Sequence, residues 1–284
     1  MARMTGPDFG PEWSASRARV PEATLREWLA FALGACDFAD EMALRHFRRD
    51  LDLEVKPDRS FVTIADQGIE REIRSRIEAR YPGHGLIGEE YGAVEGDGPT
   101  RWYIDPIDGT HNFIRGVPLF GTLLAVEHEG EIQAGIISAP ALRERWWAAR
   151  GLGAWARGLD GERRIRVSRV AAIEDAQLLY GSRTDNVASG LMPGFDALIA
   201  AAWRDRGFGD FWGYTLLAEG AAEAMLETGM KTWDLAAPLV VIEEAGGRVT
   251  DAFGERRIDA ASFVATNGLL HDEVLRRLVA TGRG

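Results

Sequence analysis

Hydrophobic positions follow two rhythms along this chain. After Pro21-Glu22, residues Leu25, Trp28, Leu29, Ala32, Leu33, Cys36 and Ala39 recur at spacings of three and four. That period predicts a helix with one apolar face, running to about Arg49. Ile69, Ile73 and Ile77 predict a second helix, stopped by Tyr81-Pro82-Gly83. Between the two, Phe61 to Ile64 forms a short strand or turn that leads to Asp66. The rhythm then shortens. Strands are predicted at 85–87, 101–104, 119–126 and 132–138, with Glu129-Gly130 as a hairpin turn, and 146–149 and 153–155 extend the meander. Past Gly161 the two patterns alternate, predicting helices at 194–205, 212–226, 234–245 and 269–280 and strands at 177–181, 247–250 and 262–266. The outline is a loose N-terminal tail (1–20), an α+β half (21–160) and an α/β half (161–284).

Composition narrows the function classes. Of the 284 residues, 46% are hydrophobic and 27% charged, a balance that folds into a globular core. Acidic residues outnumber basic ones by 44 to 33, for a net charge of −11. A field of that sign argues against nucleic-acid and anionic-membrane partners, yet leaves room for a small anionic substrate in one local site. The single cysteine, Cys36, excludes an intrachain disulfide and a cysteine-rich metal site. His46, His84, His128 and His271 have no partners at metal spacing, which disfavours zinc. There is no run of about 18 apolar residues to span a membrane and no apolar leader, so the expected compartment is the cytoplasm.

The candidate chemistry sits at element boundaries. Trp102-Tyr103-Ile104 runs straight into Asp105-Pro106-Ile107-Asp108-Gly109-Thr110. Pro106 stiffens the turn so that both carboxylates can point the same way, and Gly109 permits close backbone approach to an anion. Alone, the run also fits an ordinary strand-end turn. Ile87-Gly88-Glu89-Glu90 again places carboxylates after an apolar strand. Asp66 and Asp234 each stand at the start of a helix, where a capping role is the simpler reading. The combination changes the balance. Hard divalent cations take oxygen ligands, and phosphoryl chemistry uses several carboxylates to hold them.

These residues resemble the inositol-monophosphatase-like superfamily of Mg²⁺-dependent phosphatases. The match rests on Gly88-Glu89-Glu90, on the run from Asp105 to Thr110, and on Trp233-Asp234 followed by Glu244-Ala245-Gly246-Gly247, and it covers about 21–280. Stretches 112–118, 138–142, 145–151 and 266–273 are most similar to the bacterial histidinol-phosphate phosphatase branch. The resemblance implies a layered αβαβα sandwich, two or three Mg²⁺ per site, and a homodimer. It implies that Glu89, Asp105 and the Ile107 carbonyl hold one ion, that Asp105, Asp108 and Asp234 hold a second, and that Asp66 reaches a third through water. Thr110, paired with Glu89, would orient and deprotonate the attacking water, and the N–H groups of Gly109 and Thr110 would cradle the phosphate. Glu227 and Asp210 would contact the organic part of the substrate, although Asp210 also reads as the N-cap of a helix from Phe211. His111 replaces a lysine common in that branch and also reads as a surface helix residue; Lys56 lies near a loop that carries a basic residue in the family. The expected reaction is hydrolysis of a small phosphate monoester, histidinol phosphate first, with inositol 1-phosphate or sugar phosphates as the alternative. A covalent phosphoaspartate route on Asp105 is disfavoured, because Asp105 and Asp108 are one residue further apart than that chemistry uses.

Overall fold

The computed structural model describes residues 20–49, 53–55 and 61–280. Residues 1–19 and Lys56 lie outside that set. In chain order the elements are α1 (Glu22–His46), β1 (Leu53–Val55), β2 (Phe61–Thr63), α2 (Ile64–Arg80), β3 (Gly85–Gly88), β4 (Gly92–Val94), β5 (Thr100–Asp108) and α3 (Thr110–Ile114). A meander follows, with β6 (Gly121–His128), β7 (Glu131–Ala139), β8 (Glu144–Ala149), β9 (Gly153–Gly158) and β10 (Gly161–Arg164). The chain continues through β11 (Gln177–Tyr180), α4 (Arg183–Ala188), α5 (Met192–Ala201), β12 (Arg204–Arg206), α6 (Asp210–Ala218) and β13 (Ala224–Thr228). It closes with α7 (Thr232–Glu244), β14 (Arg248–Thr250), β15 (Ser262–Thr266) and α8 (His271–Ala280).

Three apolar clusters stack these elements into layers. The first joins Trp28, Ile69 and Ile73 of α1 and α2 to Trp102, Ile104, Leu124 and Ile136 on one face of an eight-stranded sheet. That sheet has the order β10-β9-β8-β7-β6-β5-β3-β4, antiparallel except for the β3–β5 pair. The second cluster fills its other face with Phe211 and Tyr214 of α6 and Leu235, Leu239 and Val240 of α7, and continues to Met225 and Phe263 of a second sheet. The second sheet has the order β12-β11-β13-β15-β14. The third cluster covers its outer face with Phe195 and Leu198 of α5 and Val274 and Leu278 of α8. The sequence of layers is αβαβα, as expected from the resemblance.

Some predicted elements move. The segment read as one helix over 212–226 is α6, ending at Ala218, followed by β13 in the middle of the second sheet. Gly220, at φ 78°, turns the chain there, and all five residues of β13 are buried. A fully buried strand has no alternating pattern to distinguish it from a helix. The segment 194–205 likewise splits into α5 and the edge strand β12. Strand β10 pairs with β9 in the first sheet although it follows residue 160. The two-residue turn Glu129-Gly130 does join β6 to β7, with both residues at positive φ as a type I′ hairpin turn requires.

Helix α7 approaches β7 closely at Gly135. A Cβ there would lie 2.8 Å from Val240 Cγ1 and 2.9 Å from the Ala237 Cα. Backbone cannot move aside as a side-chain tip can. Gly135→Val is expected to destabilise the protein by about 2–3 kcal/mol through overpacking, read as a lowered urea midpoint.

Candidate active site

A break in strand register builds the centre of the site. Along β5, Trp102 and Ile104 face α1 and α2, while Tyr103 faces α7. Strict alternation would send Asp105 to the α7 face and Asp108 to the opposite one. Pairing with β6 is irregular between Asp105 and Asp108, and beyond the break Ile107 joins the α1–α2 cluster. The parity is thereby reversed, and Asp105 and Asp108 face the same side. Pro106 lies inside the irregular stretch, its carbonyl accepting from Thr122 Oγ1 at 2.8 Å.

Asp234 arrives from the other side on the first turn of α7. One carboxylate oxygen from each of Asp105, Asp108 and Asp234 lies within 4.8 Å of the others. These residues, with Glu89, Ile107, Gly109, Thr110, His111, Asp210 and Met230, line a cavity of about 170 Å³. Glu89 enters from the end of β3, where its N–H donates to the Ile104 carbonyl at 3.3 Å. Thr110 Oγ1 donates to the Ile107 carbonyl at 2.9 Å. Gly109, at φ 77°, precedes α3, and a Cβ there would meet the Leu119 carbonyl.

Neither Asp66 nor Asp234 caps its helix in the manner expected. Each is the third helical residue and accepts the N–H of the residue before the helix: Thr63 N to Asp66 Oδ2 at 2.8 Å, and Lys231 N to Asp234 Oδ2 at 2.8 Å. That contact fixes one oxygen and leaves the other. Asp66 Oδ1 is buried without a hydrogen-bond partner, and so is Asp105 Oδ1. Buried acceptors without donors are costly unless a cation completes them. The donor set, all oxygen, fits a hard divalent ion.

The charges are strained accordingly. Burial, then Glu89 and Asp108, push the Asp105 carboxyl well above its ordinary value. Burial, then Asp210 and Asp234, do the same to Asp108, against the Phe211 N–H, which donates to Asp108 Oδ2 at 2.6 Å. Burial raises Asp66 to about 6 against its bonds from Thr63. It raises Asp234 to about 7.

Asp210 and Glu227 meet at the far end. Asp210 is the first residue of α6 rather than its cap, at φ 55°, with Gly209 before it. Its N–H donates to Glu227 Oε1 at 3.3 Å, and its Oδ2 accepts from Asn112 Nδ2 at 3.1 Å. Glu227 also accepts from Tyr214 Oη, and burial raises its carboxyl to about 8. Asp210 and Glu227 border a second cavity of about 340 Å³ with Asn112, Asp185, Phe208 and Trp212. His111 is exposed at the mouth of the first cavity, and its charge opposes the burial that raises Asp210. Tyr214 has no place in the sequence reading, while Asn112 enters it only within the stretch 112–118 and Phe211 only as a helix start, none with a role at the site. Their contacts are not legible locally, because each acts on a residue more than ten positions away. His271 is buried between Thr250 and Thr266, away from this site.

The family model described as the inositol monophosphatase family matches residues 24–282. The chain belongs to that family. A histidinol-phosphatase of Mycobacterium tuberculosis is 45% identical over 255 residues, covering 89% of this chain and 98% of that protein. A histidinol-phosphatase of Streptomyces coelicolor is 41% identical over 245 residues, covering 84% and 92%. The crystal structure of the extragenic suppressor protein suhB from Bartonella henselae aligns with a TM-score of 0.82 at 28% identity, covering 89% of this chain and 98% of that one. The inositol monophosphatase resemblance read from the motifs is thus borne out, and so is the layered fold it implied. Among the described residues, no helix is long and apolar enough to cross a membrane.

The raised carboxyls make stability depend on pH. Asp66, Asp234 and Glu227 keep protons in the folded state up to about 6, 7 and 8, whereas unfolded carboxyls lose them near 4. The folded state therefore binds more protons, so this contribution is full below about pH 4 and is lost as pH rises through 6 to 8. In chelator, the urea midpoint is expected to fall between pH 5.5 and 8.5, and added divalent cation to restore it more at pH 8.5. A midpoint that rises over that range without cation would contradict the charge assignment.

Proposed function

We propose that this protein hydrolyses a small phosphate monoester with Mg²⁺, and that its substrate is histidinol phosphate. The observation that carries the reading is the adjacency of two unlike cavities across Asp210. One is walled by Glu89, Asp105, Asp108 and Asp234; the other combines Asp185, Asp210 and Glu227 with Phe208 and Trp212. Carboxylates suit an ammonium group and aromatic faces suit a planar ring, which are the two features of histidinol beyond its phosphate. The identity shared with histidinol-phosphatases supports the same substrate.

In this reading Glu89, Asp105 and the Ile107 carbonyl would hold one Mg²⁺, Asp105, Asp108 and Asp234 would hold a second, and Asp66 would reach a third through water. When bound, the ions supply the positive charge that offsets both the carboxylates and the phosphate, and they lower the pKa of the attacking water. Thr110, paired with Glu89, would orient that water, accepting its proton while passing its own hydroxyl proton to the Glu89 carboxylate. The N–H groups of Gly109 and Thr110 would hold the phosphate oxygens, presented by the left-handed turn that glycine allows at residue 109. Asp210 and Glu227 would receive the ammonium, whose positive charge favours the ionised form of carboxyls that burial pushes upward. The enzyme acts as a cytoplasmic homodimer.

Phosphate release from histidinol phosphate, inositol 1-phosphate, fructose bisphosphate and adenosine bisphosphate tests the substrate. Histidinol phosphate is expected to be turned over at least about tenfold faster than the rest, and slower turnover would refute it. Asp105→Asn is expected to lower kcat by about 10³-fold or more with the fold intact. Asp210→Asn is expected to raise KM for histidinol phosphate by about 10- to 100-fold, the loss of one charged contact.

A further inference from the structure

Asp66, Glu70 and Arg74 lie four residues apart on α2 and so form a single stripe along it. Asp66 ends the stripe near Glu89 and Asp105, with which its charge interacts, although it is not among the residues that line the cavity. Glu70 is completely buried, and its carboxylate accepts from the turn between β3 and β4: Glu90 N–H at 2.7 Å on Oε2 and Tyr91 N–H at 3.2 Å on Oε1. Arg74 donates Nε to Glu70 Oε1 at 2.7 Å and Nη2 to the Gly92 carbonyl. The three residues that follow Glu89 are therefore each tied to α2 through backbone atoms. Contact is close enough that a Cβ on Gly88 would overlap the Glu70 carboxylate.

A buried ion pair is a poor device for stability alone, since apolar side chains of like volume hold two elements together as well or better. An apolar pair cannot accept two turn N–H groups. We propose that Glu70 and Arg74 are positioning residues for Glu89, setting its carboxylate at a fixed distance from Asp66 along one rigid helix. The inference rests on the reading of Glu89 as a cation ligand. Partners behind a ligand that fix its orientation carry about 10- to 100-fold in metal affinity.

The test is Glu70→Gln in the full chain, which keeps the volume but cannot accept both N–H groups and the guanidinium. Mg²⁺ binding is measured by calorimetry without substrate, kcat and KM at saturating Mg²⁺, and hydrogen exchange at the Glu90 and Tyr91 amides. The Mg²⁺ dissociation constant is expected to rise about 10-fold or more, with kcat and KM within about threefold of wild type and faster exchange at both amides. An unchanged Mg²⁺ constant, with only a lower Tm, would reduce the pair to a structural brace and overturn the proposal. If Glu70→Gln does not fold, Arg74→Lys keeps the charge but not the forked contact with Glu70 and Gly92. Several-fold weaker Mg²⁺ binding supports the proposal, and unchanged binding overturns it. Wild-type protein that lacks Mg²⁺-dependent phosphate release would instead overturn the functional reading beneath it.

Discussion

Asp105, Asp108 and Asp234 are held with oxygens within 4.8 Å of one another, largely out of water. Two like charges about 4 Å apart repel by about 4 kcal/mol even at an effective dielectric near 20. The surroundings must resist that repulsion in the absence of a cation, and much of the architecture can be understood as the means of doing so. Protons relieve part of it, which is why the carboxyls here share a direction of shift, upward. A divalent ion would relieve the rest.

Two solutions recur. On β5 the chain breaks register so that one strand can present two carboxylates to one side. On α2 and α7 the third residue of the helix turns its carboxylate back onto the N–H that precedes the helix. Each such carboxylate also gains from the positive end of the helix dipole. In both helices the contact fixes the side chain through backbone, so that its aim depends on the whole element rather than on a flexible stem. Helices and strands hold a ligand more exactly in place than loops do.

How much of this was legible beforehand follows from the range of each signal. The run from Asp105 to Thr110 is local, and the structure does bring its two carboxylates to one side. Asp66 and Asp234 were located correctly, but their capping geometry was not, because the third position and the cap differ by a few residues that hydrophobic periodicity does not resolve. Glu227 was named as a substrate contact while its strand was read as helix. The error is physical: β13 lies between covered faces, so every residue is apolar or hidden and the period of two vanishes. The contacts of Asn112, Tyr214 and the Glu70–Arg74 pair were not legible for a different reason. Their roles are defined by contacts across the fold, and nothing in the neighbouring sequence encodes the partner.

Helix α7 forms the wall common to both sheets, and Gly135 lets it lie almost against β7. The order of synthesis then matters. Tyr103, Leu123 and Ile137, the apolar face it covers, leave the ribosome long before Asp234 does. A nascent chain that stops short of α7 carries an exposed apolar sheet face together with Glu89, Asp105 and Asp108, but lacks Asp234. The growing first half is thus sticky and lacks one of the three clustered carboxylates at once. Both conditions end in one event, when α7 docks and brings its carboxylate and its apolar stripe to the same sheet.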